Sequence, residues 1–212
     1  MSKQIKINEK KLLQKKQFLD SIGPQSWSDY EAYARCLFYL GEKEKAKAYF
    51  LEAAGRIANL LSVFEKRNQT EFARIKMVQA NFYRLAGDNT ESLKQYEEIQ
   101  GLLLHLFKTE YEENVDKGNS LLSKLSTCYF FLEDYEKSVH YGSMVKEWQP
   151  IAQGYSEGIL HKNNKQIQST LDHVIKEINH EKSVPYDTGA EISLWDWYEI
   201  GKELALKFSA VE

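Results

Sequence analysis

The sequence predicts an all-α protein in which antiparallel helix pairs stack as a short α-solenoid with capping helices at both ends. Two observations favour helices, since apolar residues recur at three- and four-residue spacing and no stretch alternates as a strand does. A third observation is a pattern of small and large residues that repeats every 46 positions. No segment is long or polar enough to read as a linker, so we expect a single domain over residues 1–212.

Composition and charge exclude several classes of protein. The chain has 28 Lys and Arg against 31 Asp and Glu, a net charge of −3, and therefore lacks the basic excess of a general nucleic-acid binder. Its N-terminal residues are too polar for a signal peptide, and no apolar run approaches the ~18 residues that span a bilayer. Two cysteines are too few for a secreted disulfide framework. We expect a cytoplasmic protein with no nucleic-acid or membrane partner.

Three repeats of 46 residues are predicted within residues 27–149. Each carries a small residue, a second small residue twelve positions earlier, and a large residue nine positions earlier. The small residues are Ala46, Ser92 and Ser138, those twelve positions earlier are Ala34, Ala80 and Ser126, and the large ones are Leu37, Tyr83 and Tyr129. A small side chain lets a second helix approach closely, and a large one fills the groove beside it. Each repeat is therefore expected to be a tight antiparallel helix pair, and we call the six small residues the anchors.

The individual helices follow from the apolar stripes and the turn residues. The N-terminal segment 1–24 contains a lysine-rich helix over residues 3–22, whose inward residues are expected to include Leu12, Leu13, Phe18, Leu19 and Ile22. Gly41 and Gly87 are placed to end the first helix of repeats one and two. In repeat three the second helix is expected to bury Val139, Met144, Val145 and Trp148.

Residues 150–212 are expected to form a divergent helix pair and a C-terminal capping helix. The pair covers residues 151–161 and 164–180 after Pro150, and the last helix covers about 193–209. In that last helix Trp195 and Trp197 point to opposite sides. We expect burial of this helix as a cap. The alternative is that Trp195 is an exposed anchor for a partner.

The repeat residues also carry a family resemblance. Two motifs resemble the tetratricopeptide repeat. The first is Ala34-x-x-Leu37-x-x-x-Gly41, followed by Ala46, Phe50 and Ala53, and the second is Ala80-x-x-Tyr83-x-x-x-Gly87, followed by Ser92 and Tyr96. The chain departs from that family in its period of 46 rather than 34, in Gly142 where an aromatic residue belongs, and in the missing closing Pro of repeats one and two. The resemblance implies a tetratricopeptide-like fold with lengthened second helices.

This resemblance implies a non-catalytic receptor whose first helices line a concave groove. The groove residues carried over by register are Glu31, Arg35, Phe38, Arg74, Asn81, Arg84, Ser123, Thr127 and Phe130. Arg and Asn side chains can hold a peptide carboxylate or backbone by paired hydrogen bonds, and Phe side chains supply apolar pockets. The alternative is that these are ordinary solvated or half-buried helix residues.

A second resemblance lies in the closing segment. This segment resembles the end of some all-helical immunity proteins of bacterial polymorphic-toxin systems. It consists of YSEGILHKNNKQIQSTLDHVIKEI, a Pro-containing loop and SLWDWYEIGKELALKF. Such proteins are similar in size, cytosolic and without catalytic motifs. An acidic segment also suits contact with a basic toxin surface, and its carboxylates are Glu110, Glu112, Glu113 and Asp116. The alternative is a frayed acidic loop.

Motifs of catalysis and metal binding are weak in this chain. The five histidines form no H-E-x-x-H motif and no pair at the i, i+4 spacing, and no nucleophile elbow, phosphate-binding loop or dinucleotide motif is present. Cys36 and Cys128 share a repeat position that faces packed neighbours, so we expect buried, inert thiols. These observations predict a protein that is not an enzyme and needs no metal or cofactor. An unrecognised carboxylate and histidine site in an interhelical cleft is the enzyme alternative.

The sequence thus predicts a non-catalytic protein-binding solenoid, a monomer or weak homodimer. In its most specific form it is a bacterial immunity protein that binds and occludes a cognate toxin. The alternative is a receptor or scaffold for a short peptide or partner protein in bacterial regulation.

Overall fold

A computed structural model of the chain describes residues 5–111, 118–186 and 189–209, and these residues are all-helical, with no strand among them. They form ten α-helices, and a short π-helical turn, Phe107–Tyr111, follows the fifth. The helices are α1 Glu9–Ile22, α2 Trp27–Tyr39, α3 Lys43–Phe64, α4 Gln69–Ala86, α5 Asn89–Leu106, α6 Asn119–Phe131, α7 Tyr135–Ser143, α8 Ile151–Leu160, α9 Asn164–Glu181 and α10 Leu194–Ser209. The all-α prediction is confirmed. None of the described helices is both long and apolar enough to cross a membrane.

The helices fall into two compact units. The N-terminal unit holds Gln4–Gln95 and Lys182–Ser193, and the C-terminal unit holds Tyr96–Glu181 and Leu194–Glu212. In the N-terminal unit α2 packs on α1 and α3, and α3 packs on α4. In the C-terminal unit α6 packs on α7, α7 on α8, α8 on α9, and α9 on α10. The single domain expected over residues 1–212 stays a prediction.

Helix α1 begins later than the sequence predicts and buries a narrower face. It starts at Glu9 because the Asn8 side chain caps it by accepting a hydrogen bond from the backbone N–H of Lys11, at 3.1 Å. Leu12 and Leu19, seven residues apart and therefore on one face, are buried. The prediction of inward side chains was wrong for three other apolar residues of this helix, which are exposed: Leu13, Phe18 and Ile22.

The six anchors are all buried, and in repeats two and three the matched anchors meet across their helix pairs. In repeat two, Ser92 Oγ donates a hydrogen bond to the carbonyl of Ala80 at 2.9 Å. In repeat three, Ser126 Oγ donates to the carbonyl of Ser138 at 2.8 Å, and Ser138 Oγ donates to the carbonyl of Ser126 at 2.9 Å. The predicted close approach within these two pairs is confirmed. Ser156 of α8 extends the second network, because its Oγ donates to Ser138 Oγ at 2.8 Å.

The turns between paired helices share one backbone conformation. Gly41, Gly87 and Glu133 occupy the same repeat position and have φ values of +89°, +87° and +60°. Each turn is closed by a backbone N–H that donates to the carbonyl five residues earlier, in the pairs Glu42 to Leu37, Asp88 to Tyr83, and Asp134 to Tyr129. The predicted role of Gly41 and Gly87 in ending their helices is confirmed, and repeat three makes the same turn with a residue that disfavours it.

We expect Glu133→Gly to raise the free energy of unfolding by about 1 kcal/mol, because glycine adopts positive φ without the cost that a Cβ imposes. The matched control is Gly87→Ala, where a Cβ would meet nothing within 4 Å, so that only the backbone conformation is penalised. We expect that variant to lose a similar amount. Urea unfolding followed by circular dichroism measures both, and a destabilised Glu133→Gly variant would contradict this account of the turn.

The second helix of repeat three is short, which corrects the expectation of a lengthened one. Helix α7 ends at Ser143, so Met144, Val145 and Trp148 lie beyond it. The neighbouring helix explains the glycine that replaces the expected aromatic residue, because a Cβ at Gly142 would lie 2.6 Å from the Cβ of Gln153 in α8. Close packing of α8 on α7 therefore requires a residue without a side chain at this position.

Glycines continue this close packing through the rest of the C-terminal unit. A Cβ at Gly154 of α8 would lie 2.6 Å from Thr170 Oγ1 of α9, and one at Gly201 of α10 would lie 2.1 Å from Tyr155 Oη. The bounds of α8, α9 and α10 agree with the predicted divergent pair and last helix to within one residue. Helices α8 and α9 are thereby held close to the end of repeat three.

Candidate functional site

The two charged groove residues predicted on α2 form a buried ion pair. Arg35 Nε donates to Glu31 Oε1 at 2.9 Å, and the side chains are only 3% and 1% exposed. A pair this deeply buried is paired and hydrogen-bonded within the protein and presents no charge to a ligand. The prediction that Glu31 and Arg35 line an open groove was wrong.

The polar groove residues predicted on α4 are engaged inside the N-terminal unit. Asn81 is buried, and its Oδ1 accepts hydrogen bonds from Arg84 Nε at 3.1 Å and Nη2 at 2.7 Å. Arg74 is half-buried, holds both carboxylate oxygens of Glu71, and donates from Nη1 to the carbonyl of Gly189 at 3.1 Å. The prediction of an exposed Asn81 was wrong, and both arginines have intramolecular partners.

The predicted aromatic groove residues have different environments. Phe38 is half-buried, with Lys43 Nζ 5.2 Å from its ring centroid. Phe130 is buried in an aromatic cluster of the C-terminal unit, with ring centroids at 5.3 Å for Phe131 and Trp197. The expectation that Phe130 forms an open apolar pocket was wrong, because other aromatic rings already cover it.

Ser123 and Thr127 are the predicted groove residues that lie on an open cleft. This cleft has a volume of about 550 Å³ and lies wholly within the C-terminal unit, between α6, the segment before α8, and parts of α8, α9 and α10. Hydroxyl, amide and aromatic side chains line it, and those that matter for its chemistry are Thr127, Trp148, Gln149, Gln166, Thr170 and His173. We call this region the cleft.

One carboxylate of α8 orients the amide groups of the cleft. Glu157 accepts hydrogen bonds from Gln149 Nε2 at 3.4 Å, Gln153 Nε2 at 2.8 Å and Gln166 Nε2 at 3.2 Å. Because an ionised carboxylate can only accept hydrogen bonds, each amide must turn its NH₂ group towards Glu157. The Oε1 atoms of Gln149 and Gln166 therefore face away from it as acceptors.

The two threonines of the cleft are also fixed as acceptors. Thr127 Oγ1 donates to the carbonyl of Ser123 at 3.0 Å, and Thr170 Oγ1 donates to the carbonyl of Gln166 at 3.0 Å. Each hydroxyl proton is thus used inside its own helix, and the oxygen lone pairs remain. Each of these four lining side chains therefore keeps at least one oxygen that can accept a hydrogen bond.

Sequence reasoning missed most of the cleft. Trp148, 46% exposed, and Gln149 lie in the segment after α7, while Gln166, Thr170 and His173 lie on α9. The repeat predicted Trp148 as a buried helix residue, which was wrong, and it assigns no role to the residues of α9. The signal in the sequence was the Trp148-Gln149-Pro150 run, which places an aromatic residue directly before a helix-starting proline.

The remaining predicted contact residues lie elsewhere. Trp195 is 3% and Trp197 5% exposed, so the expected burial of this helix is confirmed and the alternative of Trp195 as an exposed anchor was wrong. Glu112, Glu113, Asp116 and the side chain of Glu110 lie outside the described residues, so their contact with a basic partner stays a prediction. Within the described residues no group of three His, Cys, Asp or Glu is placed to hold a metal ion.

Both cysteines are buried, as predicted, and one lies in each unit. Burial raises the pKa of Cys36 to about 11 and raises the pKa of Cys128 further. The reactive thiolate is therefore scarce at neutral pH.

We expect both thiols of the native protein to react with a water-soluble disulfide reagent at least about 100-fold more slowly than free cysteine at neutral pH. Burial and the raised pKa both act in that direction. Single variants, Cys36→Ala and Cys128→Ala, assign each rate to one unit, and the denatured chain supplies the unprotected rate. Fast reaction of either thiol in the native protein would contradict its burial.

Comparisons of the chain with protein-family models, with curated proteins and with solved structures find no match. The site is accordingly defined by the geometry of the chain's own residues.

Proposed function

We propose that the chain is a non-catalytic protein-binding solenoid of tetratricopeptide-like helix pairs, acting in the cytoplasm. Its most specific form is a bacterial immunity protein that binds a cognate toxin and covers the toxin's functional surface. The observation that carries the proposal is the recurrence of one helix-pair design. The anchors are buried in all three pairs and meet in repeats two and three, and one turn conformation recurs at Gly41, Gly87 and Glu133. Repeated helix pairs create extended surfaces that bind other proteins.

The chemistry of the cleft supports binding rather than reaction. Its volume of about 550 Å³ falls within the range of ligand pockets, and its lining combines hydrogen-bonding side chains with aromatic surface. Trp148 leaves nearly half of its surface open, and tryptophan is enriched among residues that dominate binding energy. We infer that Trp148 is the main aromatic contact with the partner.

The distribution of charge supports a basic partner. Residues 96–181 and 194–212 carry 10 Lys against 18 Asp and Glu, a balance of −8. Residues 4–95 and 182–193 carry 17 Lys and Arg against 13 Asp and Glu, a balance of +4. Complementary charge raises association rates, which suits an inhibitor that must capture a toxin before it acts.

The second candidate is a receptor for a short peptide. The specific observation in its favour is the size of the cleft, which can hold a few side chains of an extended segment. Under this function the partner is linear and needs no folded surface.

The test is co-production of the tagged chain with the product of a small open reading frame directly upstream of its gene. We expect a 1:1 complex by light scattering and restored growth of cells that make the toxin. Trp148→Ala is expected to raise the dissociation constant about 10- to 30-fold. The matched control is Phe18→Ala, an exposed aromatic residue of the N-terminal unit, which is expected to change it less than about twofold.

Two results would contradict the immunity role. The first is a neighbouring gene product that is harmless and does not co-purify. The second is a toxin that remains fully active in the 1:1 complex. Binding of a linear peptide with the same dependence on Trp148 would favour the receptor instead.

A further inference from the structure

We propose that the cleft of the C-terminal unit binds the guanidinium group of an arginine side chain presented by the partner. The proposal rests on the proposed function, because the arginine belongs to a protein or peptide partner. It adds the chemical group that the cleft recognises.

The first argument is the hydrogen-bonding character of the lining. Gln149 and Gln166 turn their amide NH₂ groups to Glu157, and Thr127 and Thr170 donate to carbonyls of their own helices. Each of these four side chains keeps an oxygen that can accept, and each amide also keeps its second N–H. A guanidinium group carries five N–H donors and no acceptor, so it matches such a lining better than a carboxylate, a phosphate or an amide does.

The second argument is the exposed surface of Trp148. A cation over an indole ring is attracted by the ring's negative face, and tryptophan is the strongest of the aromatic residues in this role. Trp148 is 46% exposed and forms part of the cleft lining. A planar guanidinium stacks on an indole and is more weakly hydrated than an ammonium group. These properties favour arginine over lysine as the occupant.

The third argument is charge. Glu157 Oε2 lies 3.4 Å from Gln149 Nε2 and 3.2 Å from Gln166 Nε2. The Glu157 carboxylate therefore places a negative charge next to the amides that line the cleft. Among the described residues that line the cleft there is no lysine, and residues 96–212 contain no arginine. The Nδ1 atom of His173, which also lines the cleft, lies 3.9 Å from Glu177 Oε1. An anionic ligand would meet the negative charge of Glu157, and no described Lys or Arg of the lining would compensate that charge. The first residues of α8 also line the cleft, and a helix N-terminus favours anions, so the two effects oppose each other.

The experiment is an NMR titration of the full chain with small probes, followed on the indole N–H resonance of Trp148. The probes are N-acetyl-arginine N-methylamide and its citrulline counterpart, which has nearly the same shape but no charge. We expect the arginine probe to shift the Trp148 resonance with a dissociation constant in the millimolar range, about tenfold tighter than citrulline. A lysine probe should bind more weakly than arginine, and acetate should leave the resonance unchanged.

Variants locate the contact. Glu157→Gln removes the charge with little change in size, and Thr127→Val removes one acceptor oxygen with little change in shape. Each is expected to weaken the arginine probe several-fold, whereas Phe18→Ala leaves it unchanged. Backbone resonances of each variant report whether the unit is still folded, and Thr127→Val, which keeps the carboxylate network, serves as the independent test if Glu157→Gln unfolds.

Equal binding of arginine and citrulline, a response to acetate, or no response to arginine up to the solubility of the probe would overturn the proposal. The proposed function would then still stand if the chain formed its 1:1 complex and if Arg→Ala changes on the partner left that complex intact. Conversely, a specific arginine response in a chain that binds no protein or peptide would support the chemistry of the cleft and refute the proposed function.

Discussion

Arg35→Met is expected to lower the free energy of unfolding by about 3–5 kcal/mol, since it removes the guanidinium that is hydrogen-bonded to the buried carboxylate of Glu31. Glu31 and Arg35 are among the most deeply buried charged residues of the described chain, and their hydrogen bond measures 2.9 Å. Methionine keeps much of the volume of the arginine stem, so the loss reports the charge rather than a cavity. Urea unfolding of the full chain measures it.

The matched control is Arg56→Met in α3. Arg56 is exposed and donates to Tyr30 Oη at 3.0 Å, so its loss is expected to cost less than about 1 kcal/mol. The double variant Glu31→Gln with Arg35→Met should regain part of the lost stability, because a neutral amide is less costly to bury than a carboxylate that has lost its arginine. Equal effects of Arg35→Met and Arg56→Met would show that the buried pair contributes no more than an exposed arginine.

Gly201→Ala is expected to destabilise the protein by about 1–3 kcal/mol, although helix propensity alone predicts a gain of about 1 kcal/mol. The reason is space. A Cβ at this position of α10 would lie 2.1 Å from Tyr155 Oη and 3.0 Å from a methyl group of Leu171. Tyr155 is fully buried and donates to the carbonyl of Trp197 at 3.1 Å, so it has little freedom to move. Thermal unfolding measures the loss.

Gly55→Ala tests the same substitution where space is free. Gly55 is exposed within α3, and a Cβ there would meet nothing within 4 Å. We expect this variant to gain about 0.5–1 kcal/mol. Opposite signs for two identical changes in helices would show that packing decides the outcome, and a stabilised Gly201→Ala variant would contradict the contact with Tyr155.

The helices were predictable because their signals are local or periodic. Apolar stripes, turn glycines and regularly spaced small residues can each be recognised within a short stretch of sequence. From these signals the bounds of α8 to α10 were predicted to within one residue. Helix α1 shows the limit of such patterns. Its apolar residues are spread around more than one face, and only packing against α2 decides that Leu12 and Leu19 are the buried ones.

The site was harder to predict, because repeat register does not show what covers a helix face. Glu31, Arg35 and Asn81 occupy positions that an open groove would expose, yet all three are buried. Thr127 was named by repeat register as a groove residue, and its helix α6 also lines the cleft. Trp148 and Gln166 were missed, since their proximity depends on α7 stopping at Ser143 and on α8 returning beside it.

The serine network described in repeat three reaches further than its own helix pair. Ser156 binds Ser138, and the next residue along α8 is Glu157, which orients the cleft amides. Rotation of α8 about its axis would break the Ser156–Ser138 hydrogen bond and at the same time move the Glu157 carboxylate away from Gln166. A change at Ser138 should therefore alter, at a distance, the arginine preference that we propose for the cleft, through the orientation of one helix.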